Sequence, residues 1–200
     1  AVVDIYEKLC GDIELKDITL LAPTGKASKR ITESVHRKSS TIHKFLKWNK
    51  ETKEFSVNRF NPVDTRLVII DEFSMVDIFL FNSLLDGLTS KVKLILVGDA
   101  NQLPSIQPGN ILADLLSDKN LPGIYLTDIY RTKKESYIIP LAMDIKNRKV
   151  FEDFPTNYED FKFFSVVDIQ IKSYLTTIFK HARDKNMSIE DFQVLIPMYK

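Results

Sequence analysis

The sequence predicts an α/β domain with a mostly parallel sheet flanked by helices, because short apolar runs alternate with amphipathic segments along the chain. Two of the runs, residues 67–70 and 93–97, are apolar at nearly every position and rich in β-branched side chains. Such runs are typical of strands that are covered on both faces, as in a parallel sheet under helices. A third run at residues 18–23 is closed by Pro23 and a turn at Gly25.

The other elements are predicted from hydrophobic periodicity and local signals. Apolar side chains recur at helical spacing in six segments: 1–9, 27–37, 76–88, 110–116, 135–147 and 169–183. Ser39 or Ser40 is predicted to cap a short helix that contains Ile42. Residues 48–60 alternate around a polar turn, which predicts a hairpin or an excursion at the sheet edge. Short strands are predicted at 123–126, 161–167 and 192–196, and a surface connection at 151–160.

Length and composition limit the possible classes of protein. Two hundred residues suffice for one full core and the start of a second. The net charge of +1 gives no general argument for nucleic acid. A single cysteine, Cys10, excludes an internal disulfide and fits a reducing compartment. No apolar run approaches the ~18–20 residues that span a bilayer, so we expect a cytoplasmic protein with no membrane partner.

Acidic side chains follow two of the predicted strands. Asp71 and Glu72 come directly after the run 67–70, at the strand end where parallel sheets bind ligands. Adjacent carboxylates repel unless a cation lies between them or one stays protonated, and this arrangement suits Mg²⁺ with a phosphate ester. Asp99 ends the run 93–97, and Gln102 follows, where its amide could bind a phosphate oxygen and a water. The alternatives are a solvated acidic turn and a glutamine that caps a loop.

Residues 26–53 form a basic segment. They contain nine Lys or Arg against two acids, Glu33 and Glu51, with His36, His43 and Trp48 among them. A local charge of about +7 beside an aromatic side chain suits a phosphate backbone with bases stacked nearby, and the alternative is a solvated helix face. The three histidines show no metal-ligand spacing, and with one cysteine we expect no zinc site.

The segment Thr24-Gly25-Lys26-Ala27 resembles part of a Walker A phosphate loop but does not match the full pattern. Leu20 stands where the pattern requires glycine, and Ala27 stands where it requires the Ser or Thr that binds Mg²⁺. Both chain ends look cut, so we expect the true phosphate loop to lie upstream of Ala1, before the first helix.

Taken in order, these segments resemble the motifs of RecD-type superfamily one DNA helicases, the group of the exodeoxyribonuclease V alpha subunit. The third motif is the most specific, and two departures from common family residues, Phe73 and Tyr130, are conservative. The matching segments are 21–28 with 41–43 (the motif after the Walker loop), 71–77 (Walker B), 98–105 with 108–110 (third motif), 126–131 with Ser136 and Ala142 (fourth motif), and 194–198 (the opening of the second motor domain).

The resemblance implies a RecA-like P-loop NTPase fold from which the first P-loop strand is missing. Residues 1–150 would be motor domain 1, truncated at its N-terminus, and residues 151–200 the connection and start of motor domain 2. The family hydrolyses ATP with Mg²⁺ to move along single-stranded DNA from 5′ to 3′. The resemblance implies single-stranded DNA as a partner and leaves two settings open, a protein that works alone and one that works with other subunits of a recombination or repair nuclease.

The resemblance also assigns roles to single residues. Asp71 would hold Mg²⁺ through water, Glu72 would activate the attacking water, and Gln102 would sense the γ-phosphate. Arg131 would act as an arginine finger, against the alternative of a surface ion pair with Asp128. The family's strand-contacting positions correspond to Pro23, Thr24, Lys26, Thr41 and His43.

Two other functions remain open from the sequence. One is a P-loop ATPase that does not translocate, and the other is a module that only binds DNA or a partner subunit. Without a Walker A loop, we expect the 200 residues to be inactive as an ATPase on their own.

Overall fold

The structure is a computed structural model, and it describes residues 17–126, 136–149, 160–188 and 194–195. The chain divides into two compact units, residues 1–126 and 127–200. The predicted helix at 1–9, the connection at 151–159 and most of the predicted strand at 192–196 lie outside the described residues. The domain boundary near residue 150 stays a prediction.

The first unit alternates strands and helices as predicted. Its strands are β1 (Ile18–Ala22), β2 (Ser39–Thr41), β3 (Trp48–Asn49), β4 (Glu54–Phe55), β5 (Leu67–Ile70) and β6 (Lys93–Leu96). Its helices are α1 (Gly25–Val35), α2 (Ile42–Phe45), α3 (Ile78–Asp86) and α4 (Ile111–Ser117), and a 3₁₀ turn covers Phe73–Met75.

Four of these strands form one sheet in the order β2-β1-β5-β6, and every neighbouring pair is parallel. All four residues of β5 are buried, as expected for an apolar run in the middle of a covered sheet. The predicted α/β fold with a RecA-like parallel sheet is therefore confirmed. Among the described residues, β6 is a terminal strand of this sheet.

Both faces of the sheet are covered by helices. On one face, Ile70 of β5 belongs to a core with Ile42 of α2, Leu84 of α3 and Leu112 of α4. On the other face, Leu20, Leu67 and Ile69 pack with two apolar residues of α1, Ile31 and Val35. Burial of each such aliphatic side chain contributes roughly 1.5–3 kcal/mol, so the strand-end residues lie on a well-packed support.

The segment 39–41 differs from its prediction. Ser39 and Ser40 do not cap a helix, because together with Thr41 they form β2 alongside β1. The Ser39 hydroxyl donates a 3.1 Å hydrogen bond to the carbonyl of Leu20, which ties this polar strand to its neighbour. The cap of α2 is Thr41, whose hydroxyl oxygen accepts a 3.2 Å hydrogen bond from the Lys44 N–H.

Of the two alternatives for residues 48–60, the structure shows the hairpin. Strands β3 and β4 are antiparallel, with Trp48 opposite Phe55 and Asn49 opposite Glu54. The Asn49 side-chain oxygen accepts hydrogen bonds from the N–H groups of Glu51 (2.8 Å) and Thr52 (3.3 Å), which closes the turn.

Two predicted strands are wrong. Residues 123–126 have no regular secondary structure, and Ile124 and Leu126 are 92% and 93% exposed. Residues 162–167 are also irregular, so the run 161–167 forms no regular strand. A segment with alternating apolar residues forms a strand only if a neighbouring strand pairs with its backbone N–H and C=O groups.

The described part of the second unit contains two helices, α5 (Ile138–Lys146) and α6 (Asp168–Asp184), at the predicted positions. The Asp160 carboxylate accepts a 3.2 Å hydrogen bond from the Tyr137 N–H at the start of α5. The Tyr137 ring packs on Phe161 with ring centroids 5.5 Å apart. This contact joins α5 to the segment before α6.

Candidate functional site

The turns that follow β5 and β6 are in direct contact. The Phe73 N–H donates a 2.9 Å hydrogen bond to the carbonyl of Val97. Gly98 lies so close to the β5 turn that a Cβ atom on it would stand 3.0 Å from the Ser74 nitrogen. Only glycine permits this approach. The two strand ends therefore form one continuous backbone surface.

Asp71 and Glu72 lie on that surface, and both are half-buried. The Asp71 N–H donates to the carbonyl of Leu21 at 3.0 Å, and its Oδ1 accepts from the Glu72 N–H at 2.9 Å. These bonds fix the carboxylate at the end of β5, between β1 and β6.

Glu72 has a left-handed backbone, with φ 55° and ψ 38°. This conformation costs a residue other than glycine roughly 1–2 kcal/mol, and such strain is concentrated at functional sites. The strain is a signal that the sequence alone did not provide.

The loop that carries Gln102 is held at both ends against the segment that follows β5. At one end is the Gly98 contact, and at the other the Ile78 N–H donates a 3.1 Å hydrogen bond to the carbonyl of Pro108. Gly109 has φ 119°, and a Cβ atom built on it would stand 3.1 Å from the Ile78 nitrogen. Gln102 is exposed within this loop, and its N–H donates to the carbonyl of Asp99 at 3.1 Å.

The sequence resemblance assigns four residues to catalysis. The structure brings together the segments that carry three of these residues, Asp71, Glu72 and Gln102. Arg131 lies outside the described residues. No cluster of three His, Cys, Asp or Glu side chains able to hold a metal is found within the described ranges. Mg²⁺ bound with a nucleotide needs only one or two carboxylates and otherwise keeps water and phosphate ligands, so Asp71 fits it as a donor.

The five predicted DNA-contacting residues lie on two neighbouring strand ends. Pro23, Thr24 and Lys26 follow β1, Thr41 is the last residue of β2 and pairs with Ala22, and His43 follows β2. Thr24 and Thr41 cap α1 and α2, with the Thr24 oxygen 3.2 Å from the Ala27 nitrogen. Lys26 and His43 are exposed. The structure thus groups these residues at the edge of the sheet formed by the carboxyl ends of β1 and β2.

A cluster of three aromatic rings extends this edge. His43 packs near Phe55 (centroids 5.7 Å) and Trp48 (6.3 Å), and the Trp48 and Phe55 rings are 4.7 Å apart. Sequence reasoning noted His43 and Trp48 but missed Phe55. The hairpin register, with Phe55 seven positions after Trp48, is the signal that could have revealed it.

The parallel sheet and its joined strand ends define the class of RecA-like α/β domains. The chain belongs to the AAA domain family, which matches residues 1–108. No helix in the described part of the chain is long and apolar enough to cross a membrane.

The chain is also similar to individual proteins, two of which are named as DNA helicases. The ATP-dependent RecD2 DNA helicase of Deinococcus radiodurans is 36% identical over 142 residues, which cover 71% of this chain and 19% of that protein. RecBCD enzyme subunit RecD of Mycobacterium tuberculosis is 36% identical over 115 residues, 50% of this chain and 20% of that protein. DNA helicase B of Mus musculus is 36% identical over 106 residues, which cover 50% of this chain and 10% of that protein.

The resemblance to RecD-type helicases, predicted from the motifs, is thereby confirmed. The chain spans about a fifth or less of the length of these relatives.

Proposed function

We propose that the chain forms part of an ATP-dependent DNA helicase motor that moves along single-stranded DNA from 5′ to 3′. The observation that carries this proposal is the hydrogen bond from Phe73 to Val97, which joins the strand end bearing Asp71 and Glu72 to the loop bearing Gln102. Similarity to proteins named as DNA helicases supports the choice of substrates. A phosphate-binding loop upstream of Ala1 and a second motor domain after residue 150 would complete the motor.

Each carboxylate has a separate task in this proposal. Asp71, fixed by backbone hydrogen bonds, orients the water shell of Mg²⁺. When bound, Mg²⁺ neutralises charge that develops on the phosphate oxygens. Glu72 takes the proton of the attacking water, and its left-handed backbone sets the direction of its side chain.

Gln102 and Arg131 complete the proposed constellation. The Gln102 amide contacts the γ-phosphate, and its loop, anchored at Gly98 and Pro108, transmits the change on hydrolysis to the segment after β5. Arg131 supplies positive charge to the transferring phosphoryl group, an effect worth about 10³–10⁵ in rate in other phosphoryl-transfer enzymes.

The edge formed by the ends of β1 and β2 would bind the DNA backbone. Lys26 pairs with a phosphate, while Pro23, Thr24, Thr41 and His43 line the path of the strand. Contacts to phosphate and sugar carry no sequence information, so binding would be insensitive to sequence and would weaken steeply with salt. Two relatives are named as subunits of the RecBCD enzyme, and we propose a similar multi-subunit assembly as one setting for the parent protein.

Binding of a labelled oligo-dT strand to the 200-residue chain, followed by fluorescence anisotropy at several salt concentrations, tests the DNA-binding part. Lys26→Ala should weaken binding and make the slope of log affinity against log salt shallower by about 0.7, the value for one lost single-strand phosphate contact. Lys119→Ala, an exposed lysine outside the basic segment, is the matched control and should leave the slope unchanged. Equal slopes for wild type and Lys26→Ala would contradict the assignment.

A P-loop ATPase that does not translocate is the second candidate, because the joined turns that carry Asp71, Glu72 and Gln102 would serve it equally well. The two differ in response to DNA: hydrolysis by a motor is stimulated by single strands, and hydrolysis by a simple switch is not.

A further inference from the structure

We propose that Trp48, at the base of the β3–β4 hairpin, is a stacking platform for one unpaired base of single-stranded nucleic acid. The inference rests on the proposed function, because it assumes that a single strand follows the edge that carries Thr41 and His43. It adds a contact to a base, where the residues assigned so far contact only the backbone.

The aromatic cluster holds the indole in place. Trp48 and Phe55 are directly opposed in the hairpin, so their side chains project from the same face, with rings tilted by 59°. His43, from α2, meets the Trp48 ring edge-on, at an interplanar angle of 84°. An indole braced in this way loses little further conformational entropy when a ligand stacks on it.

Trp48 is the only tryptophan of the chain, and its side chain is 40% exposed in spite of these contacts. The hairpin does not depend on it for attachment to the domain. Leu46 and Val57, on either side of the hairpin, are fully buried in the core, and the Val57 N–H donates a 3.1 Å hydrogen bond to the carbonyl of Leu46. The accessible indole surface is therefore available for a ligand.

The surroundings of Trp48 favour a polyanion over an apolar protein partner. Four exposed lysines lie in the same stretch of chain: Lys44, Lys47, Lys50 and Lys53. Lys47 has a left-handed backbone, φ 56°, which turns the chain from α2 into the hairpin. Cations along a groove with an aromatic face between them are the usual means of binding single strands, since every base has a face that can stack.

His43 links this platform to the proposed backbone contacts. It follows Thr41 by two residues and contacts both Trp48 and Phe55. A strand whose phosphates meet Lys26 and the end of β2 would thus reach the indole after passing His43. The chemistry requires a planar base and no particular sequence.

Fluorescence of the single tryptophan of the 200-residue chain provides a direct test. The chain is titrated with oligo-dT and with an abasic strand of equal length, and anisotropy of a label on each strand records binding in the same samples. We expect both strands to bind through their phosphates, and only oligo-dT to quench Trp48. Binding of oligo-dT without quenching would overturn the platform and leave the proposed DNA binding intact, whereas no binding of either strand would overturn both.

Substitutions separate stacking from packing. Trp48→Leu should bind oligo-dT about 5- to 150-fold more weakly, the range for loss of one stacked base, and should bind the abasic strand as wild type does. Trp48→Phe should retain most of the affinity for oligo-dT. Phe60→Leu, at an aromatic side chain that is 86% exposed, is the matched control and should behave as wild type.

An equal loss of affinity for oligo-dT and the abasic strand in Trp48→Leu would show a structural role only, and would overturn the inference. The same holds if Trp48→Leu binds oligo-dT like wild type, as expected of an indole that contacts a protein partner instead. If Trp48→Leu fails to fold, the quenching of the wild-type chain and the affinity of Trp48→Phe still decide the question.

Discussion

The backbone N–H of Phe73 and the carbonyl oxygen of Val97 are joined by a 2.9 Å hydrogen bond that connects the turn after β5 to the end of β6. It places the acid pair and the glutamine loop on one support. Because the bond is between backbone atoms, the arrangement depends on how closely the two turns can approach, and that is limited by the residue at position 98.

Gly98→Ala should separate these turns. The new Cβ would lie 2.8 Å from Cδ2 of Leu112 and 3.0 Å from the Ser74 nitrogen, and the backbone neighbour cannot rotate away. We expect the free energy of unfolding to fall by about 1–3 kcal/mol, as in other overpacked sites. Urea denaturation measures this change.

Gly25→Ala is the control for that substitution, because no atom lies within 4 Å of a Cβ built on Gly25 at the start of α1. Its stability should be close to that of wild type. If both variants have the same stability, the close approach at Gly98 does not constrain the fold.

Glu72→Gly should raise the free energy of unfolding by about 1 kcal/mol, because glycine adopts the left-handed backbone of position 72 without strain. Glu72→Gln keeps the strain and should have wild-type stability. Chemical denaturation of the three proteins side by side gives the comparison. A Glu72→Gly protein no more stable than wild type would show that the backbone at this position is unstrained, and would remove one argument for a functional site.

Asp160 should titrate below the ordinary carboxyl range. Hydrogen bonds from the Ser136 hydroxyl and the Tyr137 N–H favour its ionised form and lower its pKa. Since the pKa of Asp160 is lower in the folded state, the contact contributes its full stabilisation of the folded protein at pH values above the ordinary carboxyl pKa. The stabilisation is lost as the pH falls through the folded value.

Carboxyl titration by NMR measures this pKa directly. Ser136→Ala removes the largest cause of the shift, so the pKa of Asp160 should move up toward its ordinary value. A pKa that is the same in both proteins would contradict the contact at the start of α5.

Most of the fold could be predicted from sequence where burial dominates. The runs that became β1, β5 and β6 are apolar because both faces of the sheet are covered, and the long helices show one apolar face. Strand β2 was missed because Ser39, Ser40 and Thr41 have no apolar pattern, and their pairing with β1 is visible only in three dimensions. The predicted strand at 123–126 has apolar residues but no partner among the described strands.

The candidate site was predictable to a similar extent. Residue types at strand ends led to Asp71, Glu72 and Gln102, since the end of a parallel strand is where ligands bind. The strained backbone of Glu72 and the two glycine contacts that anchor the Gln102 loop depend on the positions of backbone atoms, for which the sequence gives no periodic signal. Phe55 was missed because its position opposite Trp48 depends on the hairpin register, which the predicted hairpin did not specify.

Release of phosphate from ATP by the full-length protein, with and without single-stranded DNA, tests the central claim most directly. Glu72→Gln should bind ATP but lose DNA-stimulated hydrolysis by at least about 10²-fold, because the amide cannot accept the proton of the attacking water. Asp86→Asn, the same acid-to-amide change at the exposed end of α3, should retain wild-type activity. Normal turnover by Glu72→Gln would contradict the account.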